Sequence, residues 1–477
     1  MLIPQMIVSR SMIWSRRLPF TRLCQKRFCK LVSTLLVKNG KIATLGDHGR
    51  VLAEHAILID QGVVKKIAPA EAFANEQHPV LDAGGKLVLP GLINAHMHFY
   101  STFARGLYKM RPAATFNEVL QHLWWKLDKA LTLEGVYISA LVALLDGIRK
   151  GTTTFIDHHA SPNAVRGSLQ RIGEAVALSG LRASLCYEVS DRDGPNVAEE
   201  GIEENYQFIR ACRRRQADGD SRLRALFGLH ASFTLSDQTL ARCQEKAGEL
   251  DSGFHVHVAE AKSDQDQCLK EHGTSIVERF KGLGILGPQS IFAHAVHVSD
   301  AELKDIAESG TAVVHNPQSN MNNAVGAADL IRMNARGICV GLGTDAMTCN
   351  MFEEVRAAVW LQKLASGNPS AGFSEALGTL FTNNAKIADR QWTQEKLGRI
   401  EEGGAADIIL VDYDPPTPLD EKSLFGHLCF GVAEASVDTT IAGGKILMKG
   451  KKLQVDIDEE QLAAHSRQLA AKVWEAF

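Results

Sequence analysis

The stretch that decides the reading is "LVLPGLINAHMH", residues 87–98. An apolar run, broken by Pro90 and Gly91, ends in two histidines, His96 and His98, one residue apart. Strand side chains alternate in direction, so both imidazoles leave the end of a buried strand on one side. Such a pair either shares a metal ion or is two solvated loop histidines. The choice turns on whether other strands end in further ligands.

Seven similar runs follow: "TTTFIDHH" (152–159), "LRASLCYEV" (181–189), "LRALFGLHA" (223–231), "GFHVHVAE" (253–260), "SIFAHAVH" (290–297), "TAVVHNP" (311–317) and "ICVGLGTDA" (338–346). Helix-like stretches such as "GVYISALVALLDGIRK" (135–150) and "TSIVERFKGLGIL" (274–286) lie between them. Strand–helix alternation predicts a parallel sheet. Eight units predict an α/β fold of the (β/α)8 TIM-like barrel type, with its active site at the carboxyl ends of the strands. Polar residues gather there: His96, His98, His158, His230, His257, Glu260, His294, His315 and Asp345. A doubly wound open sheet would not explain polar termini on nearly every strand, and no GxGxxG opens a helix.

Outward from this middle, β-rich runs recur at both ends, as in "STLLVKNGKIATLG" and "ADIILVDYD". They predict a small β-sandwich domain built from residues 33–87 plus 404–454, around a barrel at 88–403. Residues 455–477 have helical apolar spacing and predict a terminal helix. Residues 1–32 read as a basic leader: seven Lys or Arg and no acid before Asp47. That composition fits either an organellar (mitochondrial or related) transit peptide, or a disordered stretch ahead of a cytoplasmic protein. The nine cysteines are scattered without a CxxC pair, which predicts reduced thiols. A net charge of −3 argues against a nucleic-acid surface, and no apolar run reaches a membrane span.

A catalytic divalent ion needs several protein ligands and an open position for water. His96 and His98 supply two. In "HVHVAE" (255–260), His257 lies nearer the strand end than His255 and is favoured as the third; His255 reads as an inner histidine. Asp345 ends the eighth strand, which neighbours the first in a closed barrel. Its carboxylate can ligate the ion, accept a proton from its water, or cap the following helix.

"PGLINAHMH", "HVHVAE", "FAHAVH", "HNPQSNMNN" and "GLGTDA", in this order, resemble the amidohydrolase superfamily. Within it they are similar to the cytosine, guanine and S-adenosylhomocysteine deaminases and the triazine hydrolases. "YSTFARGL", "LWWKLDKAL" and "IDHHASP" are most similar to aminohydrolases of the SsnA type. The resemblance implies His96, His98, His257 and Asp345 as metal ligands, Glu260 and His294 as catalytic residues, and His230 as a substrate contact. Binuclear members carry a carboxylated lysine after strand four. Here His230 stands there, which implies one divalent metal ion, zinc or iron. Ala346 follows Asp345, unlike the paired aspartates of adenosine deaminases.

The expected reaction is hydrolytic deamination of a purine, pyrimidine or related ring by a metal-activated water, with release of ammonia. A bound divalent metal lowers the pKa of its water from about 15.7 to roughly 7. Asp345 would take the water's proton, Glu260 would carry one to a ring nitrogen and the leaving amine, and His294 would orient the nucleophile. The alternatives are cyclic amide or N-acyl hydrolysis at the same metal, and an inactive barrel used for binding. The expected partner is a small heterocycle, with neither nucleic acid nor membrane, and a homodimer is a further expectation. His158 and His159 either line the pocket or hydrogen-bond its walls from behind. His315 reads as structural, and Asn316, Gln318 and Asn320 as substrate or loop amides. Trp124 and Trp125 are adjacent in a helical stretch, so only one is expected to face the pocket. Arg105 reads as an ion-pair residue, and His297 carries no assignment.

Overall fold

The computed structural model describes residues 34–477; the proposed leader lies outside the described residues. Two parallel sheets form its centre. One orders Leu92–Met97, Thr152–His159, Arg182–Tyr187 and Leu223–Ala225 side by side. The other orders Phe227–Ala231, Phe254–Val258, Ile291–His294, Ala312–His315 and Val340–Leu342. Isolated parallel bridges link the two sheets on both sides, Val189 to Leu229 and Met97 to Asp345. The strands are buried on both faces, as parallel strands covered by helices must be; all eight residues of Thr152–His159 are inaccessible.

One expected strand is two. "LRALFGLHA" breaks at Leu226: Leu223–Ala225 pairs with the third strand, while Phe227–Ala231 pairs with the fifth. The break carries the chain from one sheet to the other.

Helices return the chain between strands. Leu133–Lys150 is typical: the Thr132 side chain accepts from the Gly135 N–H at its start. Gly151 ends it in the left-handed region, at φ 78°. Residues from both ends of the chain meet in a seven-stranded sheet, where Ile408–Asp412 runs antiparallel to Leu87–Pro90. A four-stranded sheet built on Thr34–Lys38 and His55–Asp60 shares an apolar cluster with it, through Val37, Ile57, Ile59, Ile408, Leu410 and Ile441. The terminal helix Glu459–Val473, capped by Asp458, packs on Leu133–Lys150. The seven described cysteines are free, and no described helix is long and apolar enough to cross a membrane.

Candidate active site

His96 and His98 stand at the end of Leu92–Met97, His257 lies in Phe254–Val258, and Asp345 follows Val340–Leu342. Their ligating atoms converge. His98 Nε2 lies 3.0 Å from Asp345 Oδ1 and 3.3 Å from His257 Nε2, and His96 Nε2 lies 3.6 Å from Asp345 Oδ1. Atoms about 2.0–2.2 Å from a tetrahedral ion lie roughly 3.3–3.6 Å from one another, so this spacing fits a divalent metal. The ring nitrogens on the far side are engaged. His98 Nδ1–H donates to His158 O at 2.5 Å, His257 Nδ1–H to His230 O at 2.8 Å, and His96 Nδ1 faces His255 Nε2 at 2.9 Å. Each Nε2 therefore turns its lone pair inward. His96 Nε2 is buried with no hydrogen-bond partner, an atom whose position makes sense as a metal ligand. His255, expected as an inner histidine, is that and also the partner that orients His96.

Asp345 is built into place by backbone. Its N–H and that of Thr344 donate to His96 O, at 3.0 and 2.9 Å. A Cβ on Gly343 would come within 2.6 Å of that same oxygen, so only glycine lets the eighth strand approach the first. Asp345 holds φ 52°, and His294 φ 74°, uncommon for non-glycine residues and gathered at this site. Asp345 is not the helix cap: the helix starts at Met351, where the Asn350 side chain accepts from the Glu353 N–H. Burial works against charge on Asp345, yet His96 and His98 hold it well below the usual carboxylate range. Burial likewise opposes charge on His98, but Asp345 and Glu188 raise it well above the ordinary imidazole value. Burial keeps His96 down at about 3 and, with His158, pushes His257 well down.

Glu260 and His294 form the neighbouring pole. Glu260 Oε2 lies 3.5 Å from His294 Nε2, which is 3.8 Å from Asp345 Oδ2. Burial, then Asp345, push the Glu260 carboxyl well up, which favours its protonated form. Burial lowers His294, whose Nδ1 bonds Asn320 Oδ1 at 2.9 Å. Its Nε2 is then an acceptor. Ser319 Oγ donates to Asp345 Oδ2 at 2.5 Å.

These groups open onto a cavity of about 590 Å³, mouth included. His230 lines it. His158 does not: it is fully buried, gives its Nε2–H to His255 O at 3.0 Å, and stands behind Glu188. His159, bonded to Ser161 Oγ, and His315, with neither ring nitrogen partnered, are also buried outside the wall. Of the loop amides, Asn320 serves His294 and the Gln318 backbone N–H donates to Glu354; the amide in the cavity is Asn323, bonded to Glu260. Arg105 pairs with Asp146 at 2.8 Å, and His297 faces Val325 O at 2.7 Å. Trp124 and Trp125 both line the cavity, against expectation. A π turn over Leu120–Trp124 interrupts the α-helical winding immediately before Trp125. Sequence reasoning missed Glu188, Asp128, Tyr100 and Phe233. The signal for Glu188 was present: "LCYEV" ends the third strand with a carboxylate.

A family model described as "Amidohydrolase family" matches residues 87–447. The chain belongs to the amidohydrolase family. It is 33% identical to a 5'-deoxyadenosine deaminase of Methanobrevibacter smithii, covering 94% of this chain and 95% of that protein. It is 32% identical to a 5-methylthioadenosine/S-adenosylhomocysteine deaminase of Desulforudis audaxviator, over 88% and 95%. An adenosine deaminase structure from Xanthomonas campestris with bound zinc superposes at a TM-score of 0.80, with 23% identity, over 92% of this chain and 98% of that one. The likeness shows the TIM-barrel type of α/β fold, and the converging histidines and aspartate support a divalent metal in this amidohydrolase.

Proposed function

We propose that this amidohydrolase is an aminohydrolase that releases ammonia from a purine, pyrimidine or related ring. The observation that carries the reading is the juxtaposition of the His96–His98–His257–Asp345 cluster with Glu260 and His294, whose Oε2 and Nε2 lie 3.5 Å apart beside it. Its relatives are named as deaminases of adenine nucleosides, which supports the same bond cleavage here. The finer reading has four parts. The two parallel sheets close as a (β/α)8 barrel, and the sheets from residues 33–87 and 404–454 form a sandwich beside it. The cluster holds one ion, with zinc favoured over iron because the similar adenosine deaminase structure holds zinc. The partner is a small heterocycle, and the basic leader either precedes a cytoplasmic protein or targets an organelle.

His96, His98, His257 and Asp345 would hold the ion, which supplies Lewis acidity and a water acidic enough to ionise near neutral pH. Asp345 Oδ2, turned toward His294, accepts the proton of the attacking water. His294 Nε2 accepts a hydrogen bond from that water and sets its direction. Glu260 delivers its proton to a ring nitrogen as the carbon–oxygen bond forms. Collapse then breaks the carbon–nitrogen bond, and the amine leaves as ammonia with a proton relayed through Glu260.

The test is ammonia release by zinc- or iron-loaded protein over a panel of aminated purines, pyrimidines, pteridines and adenine nucleosides, with elemental analysis alongside. Ammonia from at least one class supports the reading. A new carboxylate without ammonia would instead show cyclic amide or N-acyl hydrolysis. Full metal loading without any turnover would turn the reading to a binding protein.

A further inference from the structure

The mechanism leaves Glu188 unused. It follows the third strand, lines the cavity, and is 5% exposed. Three imidazoles surround it: His98 Nδ1 at 3.1 Å, His158 Nδ1 at 3.3 Å and His230 Nε2 at 3.8 Å. His98 and His158 lie within ion-pair distance of it, but neither points an N–H straight at it. His98 Nδ1–H is committed to His158 O, and His158 donates from its other nitrogen to His255 O. Glu188 Oε1 is left buried without a partner. Such an oxygen needs a donor, since a buried acceptor left unmet has lost the hydrogen bonds that water would give it.

The neighbouring wall group is an acceptor too. Thr234 Oγ–H donates to Ala231 O at 3.1 Å, so Thr234 Oγ accepts from His230 Nδ1–H at 2.7 Å. His230 Nε2 then presents a lone pair beside Glu188. Asp128, also in the wall, pairs with Arg192 through Oδ2, which offsets its charge. The cavity lining contains no lysine or arginine. Tyr100, Trp124, Trp125 and Phe233 supply flat apolar surface around these acceptors. Glu188 also lies deep: its carboxylate groups with His230 and His257, one of the four residues proposed to hold the metal. A donor that meets it belongs to the reacting ring rather than to a substituent at the mouth.

We infer that Glu188, seconded by His230, is the specificity-determining acceptor for a flat, uncharged or cationic ring that carries an N–H donor of its own besides the amino group it loses. This rests on the aminohydrolase reading and narrows it. Guanine, cytosine and pterin have such a donor. An adenine nucleoside does not: with N9 blocked, its ring nitrogens N1, N3 and N7 are all acceptors and would face the lone pairs of Glu188 and His230. Phosphorylated nucleosides meet no cation in the lining and are disfavoured further.

Zinc-loaded wild type, Glu188→Ala and the near-isosteric Glu188→Gln are compared on guanine, cytosine, pterin, adenosine, 5'-deoxyadenosine and AMP. Ammonia release gives kcat and KM, and metal content and melting temperature verify each variant. Wild type is expected to favour the best ring N–H substrate over adenosine by about 10²-fold or more in kcat/KM, because a site built around a hydrogen bond rejects analogues lacking it. Glu188→Ala is expected to raise KM for that substrate at least about tenfold with metal content unchanged, and to shrink the preference. If Glu188→Ala does not fold, Glu188→Gln, which adds an amide donor, should show the same loss of preference. Adenosine, 5'-deoxyadenosine or AMP as the best substrate overturns the inference, as does a preference that the folded variant leaves unaltered. Should wild type release no ammonia from any probe, the aminohydrolase reading fails. Calorimetry with the same probes then decides Glu188 separately: guanine, cytosine or pterin binding lost in the variant supports it, and its absence or persistence overturns it.

Discussion

The two ends of the parallel strands treat buried polar groups in opposite ways. At the amino end, Arg182 places Nη1 2.6 and 2.5 Å from the two oxygens of Asp407, which also accepts from the Gly443 N–H at 2.7 Å, and only the Arg182 Nε of this pair is left without a partner. Arg224 Nε donates to Gln391 O, and Trp392 Nε1 to Ser221 O, both at 2.8 Å. At the carboxyl end, His96 Nε2, Glu188 Oε1 and His294 Nε2 are buried and unmatched. Matched groups tie strands to loops and to the sheet built from the chain ends. Unmatched groups are held in place by their other atoms and keep one valence for something that is not protein. The same residue types thus serve stability at one end and chemistry at the other, according to whether the second partner is supplied.

The sharpest way to break this comparison is His257→Ala. It should abolish measurable metal retention and turnover while leaving the fold, since the only hydrogen bond the imidazole gives to the surrounding backbone is to the His230 carbonyl. Elemental analysis and circular dichroism check it, and a variant that keeps its metal would remove His257 from the ligand set.

Glu260→Gln comes next. It should keep the metal and lower kcat by about 10²–10⁴-fold, the range for general acid–base groups. Loss of the metal with this change would make Glu260 a ligand rather than a proton carrier.

At the matched end, Asp407→Ala should leave the Arg182 guanidinium buried without its partner and cost about 3–5 kcal/mol. Chemical denaturation measures it. Activity per folded, metal-loaded molecule should stay near wild type, whereas a variant as stable as wild type would show that this pair is not what fastens the strand starts.

The smallest effect concerns a carboxyl that belongs to neither pattern. Glu354 is fully buried, accepts from the Gln318 N–H through one oxygen, and has none for the other. Burial pushes it up to about 8, above the unfolded value. Its neutral form is favoured in the fold, so its contribution is intact below the usual glutamate pKa and is lost as pH rises through about 8. Glu354→Gln should therefore gain melting temperature relative to wild type between pH 5 and 8.5. A difference that stays constant with pH would show that Glu354 ionises freely.

Much of this was legible in the chain because it is local. Each apolar run ends where its polar residue begins, and alternation along a strand states which histidines share a side, as in His96 with His98 and His255 with His257. Family resemblance added the ordering of those ends. What stayed hidden depends on where the chain goes next. Trp124 and Trp125, adjacent in a helical stretch, were expected to send only one side chain to the pocket, yet both line it where a π turn interrupts the α-helical winding. Asp345 had the form of a helix cap, but the helix begins at Met351, six residues further on.

By itself the sequence determined the strand–helix alternation, the strand ends at which chemistry gathers, and the residue types there, since periodicity and side-chain chemistry need no partner to be read. Only the tertiary structure decided which atoms remain unsatisfied. Glu188 is an ordinary glutamate until three strands turn His98, His158 and His230 around it with their donors spent elsewhere. Hydrogen-bond satisfaction is a property of all neighbours at once, and those neighbours are up to 132 residues apart in the chain, from His98 to His230.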